Sequence, residues 1–203
     1  MEEFNRLVEA FRQFPGIGPR QAKRFAYFIL TREFSYSDSL SKLIVNVRKT
    51  SKECASCHRF FHVGSSAELC NICSDKNRDK TILMIVSRDV DFEMVEKSGA
   101  YKGLYFVLGG SVPILDKEPE KKIRLKELIS LVKKLSKEGL KEVILALNAN
   151  SEGENTGDFI VSHLSPISVD NFKITVLGRG LSTGTELEYA DADTLKNALK
   201  HRE

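Results

Sequence analysis

The sequence predicts an α/β protein with a helical front end and a four-cysteine module, and three observations carry that reading. Short apolar runs at Thr81–Val86, Leu104–Leu108, Val143–Leu147 and Ile174–Leu177 alternate with stretches of helical spacing. That alternation is the pattern of a parallel sheet covered on both faces. Ahead of it, residues 1–53 show helical patterning and no strand-like run. Between the two lie all four cysteines, as Cys54-x2-Cys57 and, after twelve residues, Cys70-x2-Cys73.

Each element follows from local chemistry. Phe4, Leu7, Val8 and Phe11 form a 3-4-3 apolar stripe, so residues 2–14 read as an amphipathic helix. Pro15-Gly16-Ile17-Gly18-Pro19 breaks it with a tight turn, and Pro19 suits the first turn of a second helix running to about Arg32. Ser37 and Asp38 can cap a third helix, with Leu40, Leu43, Ile44 and Val47 expected on its buried face. After the cysteines, Thr81–Val86 reads as a buried strand followed by a helix to Lys97. Leu104–Leu108 is a second strand, ending in Gly109-Gly110. Ile123–Lys137 has helical spacing and Gly139 stops it. Val143–Leu147 and Ile174–Leu177 supply two more strands with a helical segment at 154–164 between them. A last helix is expected from Asp191 onward. No internal repeat and no low-complexity linker interrupts this order.

Two close cysteine pairs at this spacing can converge on one tetrahedral ion, and Zn²⁺ is satisfied by four thiolates. With Cys54, Cys57, Cys70 and Cys73 all engaged, one Zn²⁺ per chain would be structural, with no open position for chemistry. Cys54-x-x-Cys57-His58 also fits haem c attachment, and a redox pair or two disulfides is the third reading. The second pair at zinc-ribbon spacing weighs against both. His58 and His62 read as polar loop residues, because four sulfurs already fill the shell.

Bulk properties narrow the class. A chain of 203 residues, 41% hydrophobic and 29% charged, is ordinary for a globular protein with one good core and small appended modules. MEEFNRLVEAF lacks the basic-then-apolar order of a signal peptide, and no apolar run is long enough to span a bilayer. The expected setting is therefore the cytoplasm, where thiols stay reduced. Net charge is only +3, but residues 1–52 hold ten Lys/Arg against five Asp/Glu, which is +5 and leaves −2 for the rest. A basic front end joined to a mildly acidic remainder points to an anionic partner for the former.

The turn names that partner. Phe14-Pro-Gly-Ile-Gly-Pro-Arg-Gln-Ala-Lys-Arg-Phe-Ala26 resembles the helix-hairpin-helix motif of DNA-binding proteins. A glycine turn exposes backbone N–H groups, and the helix it opens adds the positive end of its dipole, so a phosphate is favoured there. Gly16 and Gly18 let a phosphodiester approach where a Cβ would obstruct it. On the helix that follows, Ala22, Phe25, Ala26 and Ile29 form the buried stripe. Arg20, Lys23, Arg24 and Tyr27 share another face. Such contacts go to the DNA backbone and give affinity without sequence readout. The plainer alternative is an αα-hairpin whose glycines serve only helix packing. The lysine-rich stretch Lys117–Lys126 is the other place DNA could bind.

The order of parts then becomes recognisable. Together with Tyr101-Lys-Gly-Leu-Tyr-Phe-Val-Leu-Gly-Gly110, the Glu152-Gly-Glu154 turn and Gly184-Thr-Glu-Leu-Glu-Tyr-Ala-Asp191, it resembles the RecR family of recombination mediators over essentially the whole chain. The resemblance implies a helix-hairpin-helix domain over 1–53, a C4 zinc finger over 54–76 and a Toprim domain over 77–170. A C-terminal segment of strand, Gly-rich loop and helix for subunit contact would occupy 171–203. It also implies a homotetrameric ring associated with the nucleoid. That ring would help load recombinase onto single-stranded or gapped DNA with the partner proteins RecO and RecF.

Catalytic Toprim domains hold Mg²⁺ with a glutamate after the first strand and an acidic cluster after a later one. Here Ser87 stands at the first position, where the RecR pattern also usually has Glu, and Asn148-Ala-Asn-Ser-Glu152-Gly-Glu154 replaces an Asp-x-Asp. No catalytic residue is assigned, and the expected protein is not an enzyme. Asp91, Glu152 and Glu154 are expected to form an acidic patch for a protein partner, RecO by resemblance. The alternative is that they are ordinary acids of helix first turns. Gly178-Arg-Gly-Leu-Ser-Thr-Gly184-Thr185 lacks the lysine of a nucleotide loop and reads as a structural or subunit-contact loop, with Arg179 a solvated arginine. Two rivals remain, a Mg²⁺-dependent phosphodiesterase and a zinc-stabilised interaction module that never touches DNA.

Overall fold

The computed structural model describes residues 1–62, 67–168, 172–178, 180, 181, 184 and 186–200. Chain contacts divide it into two units, Met1–Lys52 and Glu53–Glu203.

The first unit holds three helices, α1 (Glu2–Arg12), α2 (Pro19–Leu30) and α3 (Phe34–Thr50). Glu2 and Glu3 open α1 and Arg12 closes it, charges that complement the helix dipole. α1 and α2 form an antiparallel hairpin. Ala22 and Ala26 are fully buried and admit close approach, while Phe4 meets Tyr27 at 4.8 Å and Phe11 meets Phe25 edge-on at 5.8 Å. Pro19 sits in the first turn of α2, as the sequence predicts.

α3 departs from expectation twice. It begins at Phe34 with Glu33 at the N-cap position, so Ser37 and Asp38 lie inside the helix. Asp38 pairs with Lys42 at 2.6 Å one turn on. Nothing in Phe34-Ser-Tyr opposes helix, so α3 extends back to the bend after α2. Secondly, its apolar face is open: Leu43, Ile44 and Val47 are each about 60% exposed. Within this three-helix unit the stripes of α1 and α2 cover each other, which leaves that of α3 without a mate.

The chain passes into the second unit through β1 (Ser51–Glu53), paired with β2 (Phe60–His62), and then the short α4 (Asn71–Ser74). Four parallel strands follow, β3 (Asp79–Val86), β4 (Gly103–Val107), β5 (Glu142–Ala146) and β6 (Lys173–Val176), in the order β4-β3-β5-β6. Ile85 sits in register with Phe106 on one side and Leu145 on the other. The connecting helices are α5 (Asp89–Ser98), α6 (Leu125–Lys137) and α7 (Ser151–Ser168), and α8 (Ala192–Lys200) closes the chain. Gly139, at φ 98°, follows α6 where the sequence places its stop. α7 outruns the expected 154–164 at both ends. Pro166 falls in its last turn, so the i→i−4 bond it removes, to the Ser162 carbonyl, lies at the end of the ladder and the preceding turns stay intact.

Period-two alternation sorts the core. Leu83 and Ile85 of β3, with Phe106 and Leu108 at β4, pack against Leu128 and Val132 of α6 and Ile160 and Leu164 of α7. The intervening residues Met84, Val86, Tyr105 and Val107 point the other way, onto Phe92 of α5 and onto Cys54, Cys57, Cys70 and Ile72. The cysteine module thus covers sheet surface that α5 does not. Edge strand β4 is stitched to it as well, since Val107 N–H donates to the Cys57 carbonyl at 2.9 Å.

A charged network fastens α5 to the strands. Arg78, 10% exposed, donates to both oxygens of Glu96, and the Tyr105 hydroxyl donates to Glu96 Oε2 at 3.0 Å. Burial pushes the Glu96 carboxyl up, but the bonds from Arg78 and Tyr105 outweigh it and hold it below the usual carboxylate range. A carboxylate with a depressed folded-state pKa stabilises fully above its unfolded value of about 4.3, and loses that contribution as pH falls through the folded value. Glu96→Gln is therefore expected to cost about 2 kcal/mol at pH 7, the range of a hydrogen bond to a charged group. The deficit relative to wild type should shrink as urea titrations are repeated downward from pH 5. A deficit that stays constant with pH would mean the ion pair is not its source.

Candidate metal centre and nucleic-acid interface

The metal centre is assembled by β1, the bend after it and the start of α4. Cys54 N–H donates to the Arg59 carbonyl at 2.9 Å and His58 N–H returns to the Cys54 carbonyl at 3.1 Å, closing a knuckle. His58 adopts φ 60°, the left-handed conformation such a turn needs. Cys70 caps α4, and its N–H points at Cys54 Sγ at 3.4 Å. All four sulfurs lie within 4.8 Å of one another, and Cys57 and Cys70 are 3.6 Å apart.

The four sulfurs converge as one cluster with no disulfide among them. A tetrahedron with metal–sulfur bonds of about 2.3 Å has edges of about 3.8 Å, so the cluster fits a single ion. Three of the thiols are fully buried and Cys73 partly so. Cys57 is pushed up by hydrogen bonding to Cys54, which is held down by accepting from Cys57. A proton shared in this way is what a cation replaces. Among the described residues, no other set of three or more ligand-type side chains converges.

His58 lies outside the converging set of ligand atoms. Its Nδ1 meets Glu53 Oε1 at 2.5 Å, its ring lies edge-on to Phe106, and Arg124 Nε reaches the same carboxylate at 3.2 Å. Glu53 and Arg124 were not singled out in the sequence, and nothing in their local pattern marks them. The contact joins residues 71 apart in the chain.

The turn between α1 and α2 has the form the sequence describes. Gly16 takes φ +75°, whereas Gly18, at φ −81°, is extended backbone open to any residue. A Cβ on either glycine would meet nothing within 4 Å. Helix packing therefore does not require them, and the space in front of the α2 N-terminus is open. Arg20, Lys23 and Arg24 are exposed, and among the described residues none is paired with a carboxylate. Tyr27 is set apart from them by its stacking on Phe4.

The acids lie at the C-terminal ends of the strands. The strand order reverses direction between β3 and β5, which is where open parallel sheets form a crevice. Asp91, in the first turn of α5, accepts from its own helix at Arg88 N–H, 2.9 Å. Glu152, in the first turn of α7, accepts from the Ser111 hydroxyl. Glu154 lines a small recess of about 130 Å³ with Asp158, Asn148 and Val176. Glu152 and Glu154 thus serve different neighbours, and Asp158 joins Glu154 through an i,i+4 spacing that was available in the sequence but not used. Gly153 between them is forced, since a Cβ would stand 2.0 Å from the Asn148 carbonyl oxygen. Ser87 closes β3 as a buried residue, 3% exposed. Arg179 and Thr185 of the Gly-rich loop lie outside the described residues.

Comparison with known proteins agrees with this arrangement. Residues 4–48 match the family model described as RecR, helix-hairpin-helix, residues 81–177 the Toprim domain, and residues 180–203 RecR, C-terminal. The chain is 38% identical over 197 residues to Recombination protein RecR of Chloroflexus aggregans, covering 97% of this chain and 91% of that one. The corresponding protein of Staphylococcus saprophyticus is 37% identical over 201 residues, 99% and 96% of the two chains. That of Lactobacillus acidophilus is 35% identical over 196 residues, 97% and 94%. With a Toprim sheet, a four-cysteine centre and a helix-hairpin-helix in one continuous match, the chain belongs to the RecR family of recombination proteins.

Proposed function

We propose that the protein is a non-enzymatic, DNA-binding recombination mediator that helps load recombinase on single-stranded or gapped DNA. The observation that carries it is the α1–α2 turn. Three exposed, unpaired cations follow two glycines that packing does not need, at a helix N-terminus facing open space. Backbone phosphates are what such a surface recognises. A homotetrameric ring multiplies a weak site. The open face of α3 supports subunit contact, because contiguous exposed apolar side chains mark association surfaces. RecO and RecF are the proposed partners, with Asp91, Glu152 and Glu154 offered to RecO.

The phosphodiesterase alternative requires carboxylates converging on Mg²⁺. Asp91 is engaged by its own helix, Glu152 by Ser111, and Ser87 stands where a glutamate would. That distribution supports a binding role.

For the metal, Zn²⁺ is proposed, held by Cys54, Cys57, Cys70 and Cys73, as four thiolates in a tetrahedral cluster favour it. Its chemistry there is structural. Elemental analysis of protein purified without chelator should find one zinc per chain. Cys57→Ser should lose it and, because the thiols share a core with β3 and β4, destabilise the whole α/β unit by at least about 3 kcal/mol, or roughly 6–12 °C in Tm. A Cys57→Ser protein with wild-type Tm would make the knuckle a detachable appendage.

Lys23→Ala/Arg24→Ala should weaken binding to all DNA sequences alike, with the oligomer intact. The slope of log K against log salt should fall by roughly 0.7–0.9 per lost phosphate contact. Fluorescence anisotropy at several salt concentrations reads both quantities, and an unchanged slope would place DNA elsewhere. Charge reversal at Glu152 and Glu154 should reduce RecO retention, because complementary charge governs encounter and specificity. Zinc content should be unchanged and the protein should stay folded, with a lower Tm from the lost Ser111 bond and the helix-terminal charges. Equal retention by wild type and the double variant in a pull-down would return these acids to a helix-terminal role.

A further inference from the structure

The α/β unit carries a second cationic surface that the hairpin reading does not use. A groove of about 550 Å³ runs between the metal knuckle and α6, lined by Ser56, His58 and Leu69 on one wall and by Lys126, Ser130 and Lys134 on the other. Lys126, Ser130 and Lys134 are spaced i, i+4, i+8, so they form one row along α6 with its ends about 12 Å apart. Neither lysine is paired with a carboxylate among the described residues. The neighbouring Lys121 and Lys122 differ, being neutralised by Glu118 at 2.5 Å and Asp116 at 3.1 Å. Within the stretch Lys117–Lys126, the pairing leaves Lys126, on α6, as a lysine without a carboxylate partner among the described residues.

The local electrostatics keep this groove positive. Glu127 is the one carboxylate residue in its lining, and Glu53 behind the knuckle is already paired with Arg124 and hydrogen-bonded to His58. The surrounding sequence from residue 53 onward is net −2, so an unpaired lysine row there is not a general surface property. The opposite wall is rigid by construction, because Ser56 lies between two buried cysteines of the metal cluster.

We infer that this groove holds the backbone of a single nucleic-acid strand, Lys126 and Lys134 contacting separate phosphates, with the Ser56 and Ser130 hydroxyls as supplementary donors. A row of point cations with hydroxyls between them matches a regularly repeating polyanion whose contacts are phosphate-directed. The groove also has an apolar side in Leu69, which an extended strand can cover with a sugar or base face. This inference rests on the reading that the protein binds DNA, and adds a site to it.

The test uses full-length protein and a fluorescent oligo(dT), with anisotropy titrations across a salt series. Lys126→Ala/Lys134→Ala is measured beside Lys23→Ala/Arg24→Ala, the combination of both, and Lys126→Arg/Lys134→Arg. Zinc content and oligomer mass of each variant show that it is folded. The expected result is a groove variant whose salt slope falls by about 1.4, two contacts at 0.7 each on a single strand. The arginine variant should retain the wild-type slope, and the combined variant should lose more than either alone. A groove variant that binds like wild type while the hairpin variant is weakened would overturn this site and leave the hairpin reading standing. A wild-type protein that binds no oligo(dT) at low salt would overturn both. A groove variant with normal DNA binding that loses affinity for poly-glutamate would assign the groove to an acidic protein instead.

Discussion

The structure depends on how a four-stranded parallel sheet covers its second face. Right-handed crossovers put α6 and α7 on one side of the sheet and α5 on the other. One helix of ten residues cannot shield Met84, Val86, Tyr105 and Val107 together. The cysteine module supplies the missing cover: Cys54, Cys57, Cys70 and Ile72 lie in the same apolar cluster as those side chains. A segment this short has little core of its own, and its buried four-cysteine cluster stands in for one. Its backbone is tied to the sheet through Val107 N–H to the Cys57 carbonyl, and to α5 through Phe60 N–H to Asp89 Oδ1 at 2.8 Å. Arg59 completes the seam over the Phe92 ring at 4.6 Å.

Much of this was readable from local pattern. The four strands, α1, α2, α5 and α6 follow from periodicity and from punctuation such as Pro19 and Gly139, because each is decided by neighbours within a turn or two. The convergence of the four cysteines was readable for the same reason, since x2 spacing is a local geometric demand. What escaped depends on distant partners. β1 and β2 are three residues each and exist only because they pair. Glu53 and Arg124 are joined by the fold. The face of α3 shows the limit most plainly, since periodicity reveals an apolar stripe but not what covers it. Leu43, Ile44 and Val47 have the right spacing for a core, and the other two helices of their unit leave them uncovered.

The acidic residues illustrate the same limit at the level of a site. Sequence places Asp91, Glu152 and Glu154 at the ends of strands, and topology brings the ends of β3 and β5 to the crevice of the sheet. Which carboxylate faces which neighbour is decided by helical phase. Glu152 reaches Ser111 in the loop after β4, while Glu154 and Asp158 share a recess against Val176 of β6. Two acids with a single glycine between them therefore present to different sides of α7, and a partner reading one need not read the other.

Ser87 shows why such an edge is stable without converging carboxylates. It is buried at the end of β3, and its carbonyl accepts from Gly109 N–H at 3.0 Å. A glutamate there would place an ionised carboxylate at a buried position at the head of a segment that already supplies Asp89 and Asp91. Burial and like charge both raise a carboxyl pKa, so such a group stays ionised only against a compensating cation. A serine has no such requirement, and Asp91 is then free to cap α5 and Asp89 to hold the Phe60 amide. With serine at this position, the edge is held by the hydrogen bonds of its own helix terminus. The four-cysteine cluster lies apart from this edge, in the module that packs on the sheet, and the exposed cations lie elsewhere, on α2 and along α6.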